Sequence, residues 1–323
     1  MIRREFIALV GGAAAWPVAA GAQQAAIPVV GFLYSGSAET IELAAWRKGL
    51  SEMGFSEGRN LTIEYRWANN EFDRVPELAA DLVRRRVAVI AAFATDSALA
   101  AKAATATIPI VFNSGGDAVQ AGLVDSLNQP GGNVTGVNAI STELNPKRLG
   151  LMHELLPTAS RFGLLVRRGS PTTEFVIKEA KAAASAIGKH LEILYAGNNS
   201  EIDMAFASLV QNRIEAVVVS PSPLFGARRA QLLMLTARHS VPSIYQSRDD
   251  VKAGGLMSYG PDRSETFRQT GIYIGRILKG EKPTDLPVIQ PTKFQFVINL
   301  QTAKLLNVTV PAPLLALADE IIE

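Results

Sequence analysis

The sequence predicts an α/β protein of two lobes, each a doubly wound parallel sheet, joined by a three-strand hinge. Short apolar runs alternate with stretches of helical period along nearly the whole chain, the pattern of βαβ units. The same order of segments recurs about 130 positions later, which indicates two lobes of one design. Gly- and Pro-punctuated stretches then fall where the chain would pass from one lobe to the other.

Val29 to Leu33 reads as a buried strand ending at Tyr34-Ser35-Gly36, and Leu43, Trp46, Leu50 and Met53 mark a helix closed by Gly54. Leu61 to Trp67 is extended, and Val75, Leu78, Ala79, Leu82 and Val83 form a helical stripe. Val87 to Phe93 and Ile108 to Phe112 are continuous apolar runs, as expected of strands covered on both faces. In the repeat, Gly31 of VVGFLY corresponds to Gly163 of RFGLLV, LTIEY to LEILY, and Asp73 to Asp203. VAVIAAF likewise parallels EAVVVSP, and TIPIVF parallels SVPSIY. Between the halves, Pro130-Gly131-Gly132-Asn133 leads into a strand from Val134 to Asn138, and Asn145-Pro146 opens a helix carrying Leu149, Met152 and Leu155.

Towards the end, Gly254-Gly255 opens a strand from Leu256 to Tyr259 that Gly260-Pro261 is expected to stop. Ser264 is the predicted N-cap of a helix carrying Phe267, Ile274, Ile277 and Leu278 and closed by Gly280. Pro283, Pro287 and Pro291 forbid helix before Phe294, Phe296 and Ile298 alternate as a strand. The expected division is a signal peptide over 1–22, a first lobe of 27–139 with 264–282, and a second lobe of 140–263 with 283–323.

Composition narrows the function classes. The 323 residues suit two domains, and a charged fraction of 19% with net charge +2 offers no polyanion-binding surface, so no nucleic-acid partner is expected. The absence of cysteine excludes disulfides, thiolate metal sites, thiol nucleophiles and lipid attachment to an N-terminal Cys. Arg3-Arg4, an apolar stretch from Phe6 to Ala15, and Ala20-Gly21-Ala22 before Gln23 have the three parts of a secretory signal. That stretch falls short of the roughly 20 residues needed to span a bilayer. Export to the periplasm with cleavage near Ala22/Gln23 and no lipid anchor is expected, and the resemblance of Arg3-Arg4-Glu5-Phe6-Ile7 to a twin-arginine signal leaves the export route open.

The runs GGLMSYGPD and YIGRILKGEKPTDLPVIQPTKFQFVINLQTAKLLNVTVP, with GDAVQAGLVDSLNQPGGNVTGVN and PLLALADEII, resemble the ABC-transporter substrate-binding protein family that includes tryptophan- and other amino-acid-binding members. The resemblance extends over nearly the whole chain. It implies a type I periplasmic binding protein, non-enzymatic and monomeric, which captures a small molecule between its lobes and hands it to an ABC permease in the inner membrane. A two-lobed sensor for signalling, and a hydrolase or racemase on a similar fold, are the alternatives.

Ligands of open α/β sheets bind beyond the carboxyl ends of the strands, near helix N-termini. Candidate ligand-binding residues in the first lobe are therefore Tyr34 and Ser35, then Thr95, Asp96 and Ser97, then Asn113 and Asp117. In the second they are Arg168 and Ser170, then Ser220, then Tyr245 and Tyr259, with Thr172, Ser222 and Gln246 nearby. Each could instead cap a helix or finish a core strand. Thr95 to Ser97 forms the best anion site, because it leaves a buried strand and opens a helix with hydroxyls. Asp96 and Asp117 are the acids that could meet an ammonium group, and the tyrosines could enclose an apolar or aromatic ligand body. The Arg167-Arg168-Gly169-Ser170 corner departs from the asparagine-rich turn of the family; Arg168 either meets a second negative group of the ligand or is a solvated surface charge. His153, His190 and His239 lack partners at metal-ligand spacing, and neither a Gly-x-Ser-x-Gly elbow nor a phosphate loop occurs. No enzyme activity, cofactor or metal is expected.

Overall fold

The computed structural model describes residues 27–323, so the expected signal peptide lies outside the described residues. The first part of the chain forms β1 (Val29–Tyr34), α1 (Leu43–Glu52), β2 (Thr62–Trp67), α2 (Val75–Arg84), β3 (Val89–Phe93), α3 (Thr95–Ala104), β4 (Ile110–Ser114) and β5 (Val134–Asn138). These strands make one parallel sheet in the order β2-β1-β3-β4-β5. The chain then forms α4 (Asn145–Leu155), β6 (Arg161–Arg167), α5 (Thr173–Ala186), β7 (His190–Ala196), α6 (Asn199–Gln211) and β8 (Ala216–Val219). It continues through α7 (Pro223–Ala227), α8 (Arg229–Arg238), β9 (Ser243–Tyr245), α9 (Arg248–Lys252) and β10 (Met257–Pro261). After α10 (Arg263–Leu278) come β11 (Phe294–Asn299), α11 (Leu300–Leu305), α12 (Ala312–Leu317) and β12 (Glu320–Ile322).

The second sheet runs β12-β11-β10-β9-β8-β6-β7. β6 lies between β7 and β8 as β1 lies between β2 and β3, so the internal repeat is a repeat of topology. The matched glycines have a packing reason: a Cβ on Gly31 would come within 3.0 Å of Leu82, and one on Gly163 within 3.0 Å of Leu194. Both positions lie where an apolar side chain presses onto the central strand.

Packing, not sequence order, decides where α10 belongs. A Cβ on Gly49 of α1 would fall 2.0 Å from the Arg268 carbonyl oxygen, and one on Gly271 of α10 would fall 2.2 Å from that of Trp46. The two helices thus cross backbone to backbone. Phe267, Tyr273, Ile274 and Ile277 of α10 complete the core around Phe32, Trp46 and Phe93 of the first sheet. Burial of those four side chains is worth roughly 1.5–3 kcal/mol each, which holds this late segment on the first lobe.

Three details differ from the sequence expectations. β10 continues through Gly260 and Pro261, which pair with Gln295 and Phe294; β9 has already ended its pairing at Ser258, so the amide that proline lacks is not needed on that side. α10 begins at Arg263 and is capped by the Asp262 side chain, which accepts from the Glu265 N–H, not by Ser264. One strand pair, β10 with β11, is antiparallel, because the chain returning from the first lobe enters the second sheet at the carboxyl end of β10.

After α10 the chain stays against the first sheet. Thr135 Oγ1 donates to the Leu286 carbonyl at 2.6 Å, and Ile289 exchanges backbone bonds with Gly136 and Asn138. The chain therefore passes between the sheets at 139–144, around Asp262, and between Ile289 and Phe294.

Candidate functional site

The carboxyl ends of the two sheets face each other across a cavity of about 120 Å³. From the first sheet come Tyr34 at the end of β1, Phe93 at the end of β3, Asn113 next to the end of β4, and Ala139 just after β5. From the second come Arg167 at the end of β6, Ser222 after β8, Gln246 after β9 and Pro261 at the end of β10. Such a crevice is where doubly wound sheets hold ligands. Phe93 stacks on Phe267 with ring centroids 4.9 Å apart, and both rings with Tyr34 make an aromatic wall on the first lobe.

An ion pair joins the lobes across this space. Arg167 donates to Asp96 at 2.6 Å, with side-chain exposures of 4% and 16%. The guanidinium also lies 3.7 Å from the centre of the Phe72 ring, a cation–π contact from the first lobe. Burial pushes the Asp96 carboxyl above its usual range, and the Arg167 guanidinium opposes that rise. Asp96 stands in the first turn of α3, which has no side-chain cap, so the protein already supplies negative charge where that helix start favours it. Ala94, immediately before, is held at φ 71°, a costly conformation for a residue with a Cβ. Thr95 Oγ1 lies 2.8 Å from Ser114 Oγ.

Beneath the second lobe's wall is a denser set of charges. Arg263, the first residue of α10, lines both the main cavity and a smaller one of about 20 Å³, and its guanidinium lies 5.8 Å from the centre of the Phe267 ring. Arg229 donates to Asp250 at 2.6 Å. Burial raises the Asp250 carboxyl, while Arg229 and then Arg263 pull it down. Arg148, wholly buried, donates to the carbonyls of Tyr259 (2.8 Å) and Ser141 (2.9 Å) and to Asn145 Oδ1 (2.8 Å). It thereby ties β10 to the first crossing segment. Burial lowers its pKa to about 9.

Five of the twelve residues singled out from the sequence line the cavity: Tyr34, Thr95, Asp96, Asn113 and Ser170. The others lie elsewhere. Ser35 and Ser97 are fully buried, their hydroxyls without partners among the described residues. Asp117 accepts from the backbone N–H groups of Val119 and Gln120, closing its own turn. Arg168 points away from the cavity, exposed, paired with Glu201 at 3.0 Å and lying over the Tyr195 ring; it is the solvated surface charge. Ser220 accepts from Asn145 Nδ2. Tyr245 lies in the core of the second lobe, where burial raises its hydroxyl pKa. Tyr259 packs on Phe294 and Phe296.

The residues that sequence reasoning missed are Arg167, Phe267 and Arg263. Arg167 had a visible sign, being the one charge at the end of an otherwise apolar strand beyond its first residue. Phe267 and Arg263 had none, because their place in the cleft depends on α10 folding back onto the first lobe.

Two doubly wound sheets facing each other over a ligand-sized crevice, with three chain passages between them, define a solute-binding protein of the type I periplasmic class. The chain belongs to the ABC transporter substrate binding protein family, whose model matches residues 27–322. It is 28% identical over 263 residues to a tyrosine-binding protein of Clostridioides difficile strain R20291, covering 80% of this chain and 74% of that one. A structure of an ABC domain in complex with L-Trp from Streptococcus pneumoniae superposes with a TM-score of 0.83 at 25% identity, covering 91% of this chain and 99% of that one. A conserved domain protein from Vibrio cholerae O1 biovar El Tor gives a TM-score of 0.84 at 26% identity, with the same coverage. The role of the chain is accordingly to capture a small solute for an ABC transporter; proteins of this kind act outside the cytoplasm and with an ABC permease. Among the described residues no helix is long and apolar enough to cross a membrane.

Proposed function

We propose that the protein is a monomeric periplasmic receptor that encloses an amino acid or an aromatic or other organic acid between its lobes and delivers it to an inner-membrane ABC permease. The observation that carries this reading is the Asp96–Arg167 pair, which spans the cavity beside an aromatic wall of Tyr34, Phe93 and Phe267. A pair of charges on opposite lobes is fully made only when the cleft is shut, and a flat apolar wall suits a ligand with a ring. The naming of tyrosine and L-Trp for two relatives supports the same class.

In this reading 27–139 with 263–289 is one lobe and the remainder the other, and closure turns on the three passages at 139–144, Asp262 and 290–293. Export removes residues 1–22, the protein carries no lipid anchor, and it catalyses no reaction. Thermal-shift screening against amino acids and organic acids, followed by small-angle scattering with the best ligand, tests the proposal. Compaction on binding is expected. A turnover of any ligand that vanishes with Asp96→Asn would overturn it.

A further inference from the structure

We propose that Phe72 is the latch of the cleft: carried by the first lobe, it seats in the second, holds the Arg167 guanidinium against Asp96 and thereby favours the closed form. This rests on the solute-receptor reading and adds to it the residue that positions the pair between the lobes.

The first support is where Phe72 lies. It belongs to the first lobe, opening the 3-10 turn Phe72–Arg74 after β2. Yet it packs against the core of the second lobe, the cluster that contains Leu165, Leu224 and Phe225. The guanidinium carbon of Arg167 stands 3.7 Å from the centre of its ring, well inside the roughly 6 Å reach of a cation–π contact. The same guanidinium donates through Nη2 to Asp96 at 2.6 Å. Arg167 is thus held from the first lobe twice, by a carboxylate and by a ring. A planar, weakly hydrated guanidinium can do both at once, lying on the ring while its edge bonds the carboxylate. The ring also keeps water from the cation, which is 4% exposed, and an ion pair with less water around it is stronger.

The second support is how firmly Phe72 is presented. Ala68, Asn69 and Asn70 donate their backbone N–H groups to the carbonyls of Tyr34 (2.9 Å), Gly36 (3.1 Å) and Ser35 (2.9 Å), which staples the loop to the end of β1. Asn69 and Asn70 stand at φ 51° and 68°, consecutive left-handed positions of the kind asparagine tolerates better than most residues. A segment fixed in this way loses little further freedom when its ring is seated on the other lobe.

These contacts are made by the protein's own groups, so they form whether or not a solute is enclosed. The lobes also approach closely elsewhere: a Cβ on Gly116 of the first would fall 2.6 Å from Thr172 Cγ2 of the second. Phe72 is not part of the cavity wall. It therefore raises the closed population for every solute alike, and the solute supplies only the remainder of the shift.

Distances between the lobes, measured without any solute, test this. The chain has no cysteine, so Glu77→Cys on the first lobe and Met204→Cys on the second, both at exposed positions, take one spin label each. Double electron–electron resonance then reads the closed and open populations. Phe72→Ala should lower the ratio of closed to open molecules at least about tenfold, with little change in the urea midpoint of unfolding. Phe72→Tyr should keep the wild-type ratio, and Phe72→Leu, which retains an apolar contact but has no π face, should fall between. If Phe72→Ala does not fold, the comparison of Phe72→Tyr with Phe72→Leu decides. A wild-type ratio in Phe72→Ala overturns the latch, and one in Phe72→Leu overturns the positioning of Arg167 by the ring. A wild type that is wholly open overturns the proposal as well. The receptor reading fails separately, if no amino acid, sugar or organic acid binds in a solute screen.

Discussion

Replacing Arg167 with Ala should open the unliganded protein without unfolding it. Arg167 belongs to the second sheet and Asp96 to the first, so both groups regain water when the lobes part, whereas in the closed cleft they are 4% and 16% exposed. Removing one partner of such a pair leaves the other charge buried and uncompensated, at a cost of about 3 kcal/mol. That cost falls on the closed state alone. It corresponds to a loss of about two orders of magnitude in the ratio of closed to open molecules, while the unfolding free energy of the separate lobes changes by less than about 1 kcal/mol. Asp96 then governs the pH dependence: burial already raises its pKa, and without Arg167 the rise is larger, so the closed state takes up a proton that the open state does not hold. Closure of Arg167→Ala should therefore return as the pH falls and be lost as it rises through the closed-state pKa. Small-angle scattering of the unliganded wild type and variant at pH 8 and pH 5, beside urea unfolding curves, measures both effects. An unchanged radius of gyration at pH 8, or a drop in unfolding free energy equal to the whole 3 kcal/mol, would refute the reasoning.

Glu143, in the first crossing segment, has its carboxyl pushed up to about 7 by burial and by the nearby Asp117, and its Oε1 has no hydrogen-bond partner among the described residues. Its protonated form is favoured by folding, so the stability it contributes is full below about pH 4.5 and lost as the pH rises through about 7; Glu143→Gln should flatten that loss, by about 1–2 kcal/mol at pH 8 after allowance for partial solvation, in denaturant titrations across pH. Arg148→Met should cost about 3–5 kcal/mol in the same titrations, because it strands the carbonyls of Ser141 and Tyr259 and the Asn145 amide oxygen in a dry interior; a loss below about 1 kcal/mol would show that these groups find water. Gly49→Val should destabilise the first lobe by about 2–4 kcal/mol, since its Cβ would fall 2.0 Å from the Arg268 carbonyl, and a Tm equal to wild type would mean that α10 does not rest there.

Much of the architecture was legible along the chain because periodicity and Gly/Pro punctuation are local. The alternation of apolar runs and helical stripes, and the match of VVGFLY to RFGLLV, led to two sheets of one topology, which β2-β1-β3 and β7-β6-β8 display. The rule that ligands lie beyond strand ends likewise led to Tyr34, Asp96 and Asn113, which line the cavity. It could not separate Arg167 from Arg168. β6 is buried on both faces, so its sequence carries no alternation to say which of two adjacent arginines turns toward the other lobe. The wall of Phe267 and the cation of Arg263 were beyond local reading for a different reason: they lie about 170 positions after Phe93, and only the glycine-lined crossing of α10 on α1 carries them back to it. A ligand site assembled between two lobes is made of contacts between residues remote in sequence, and those are set by how packed surfaces fit together.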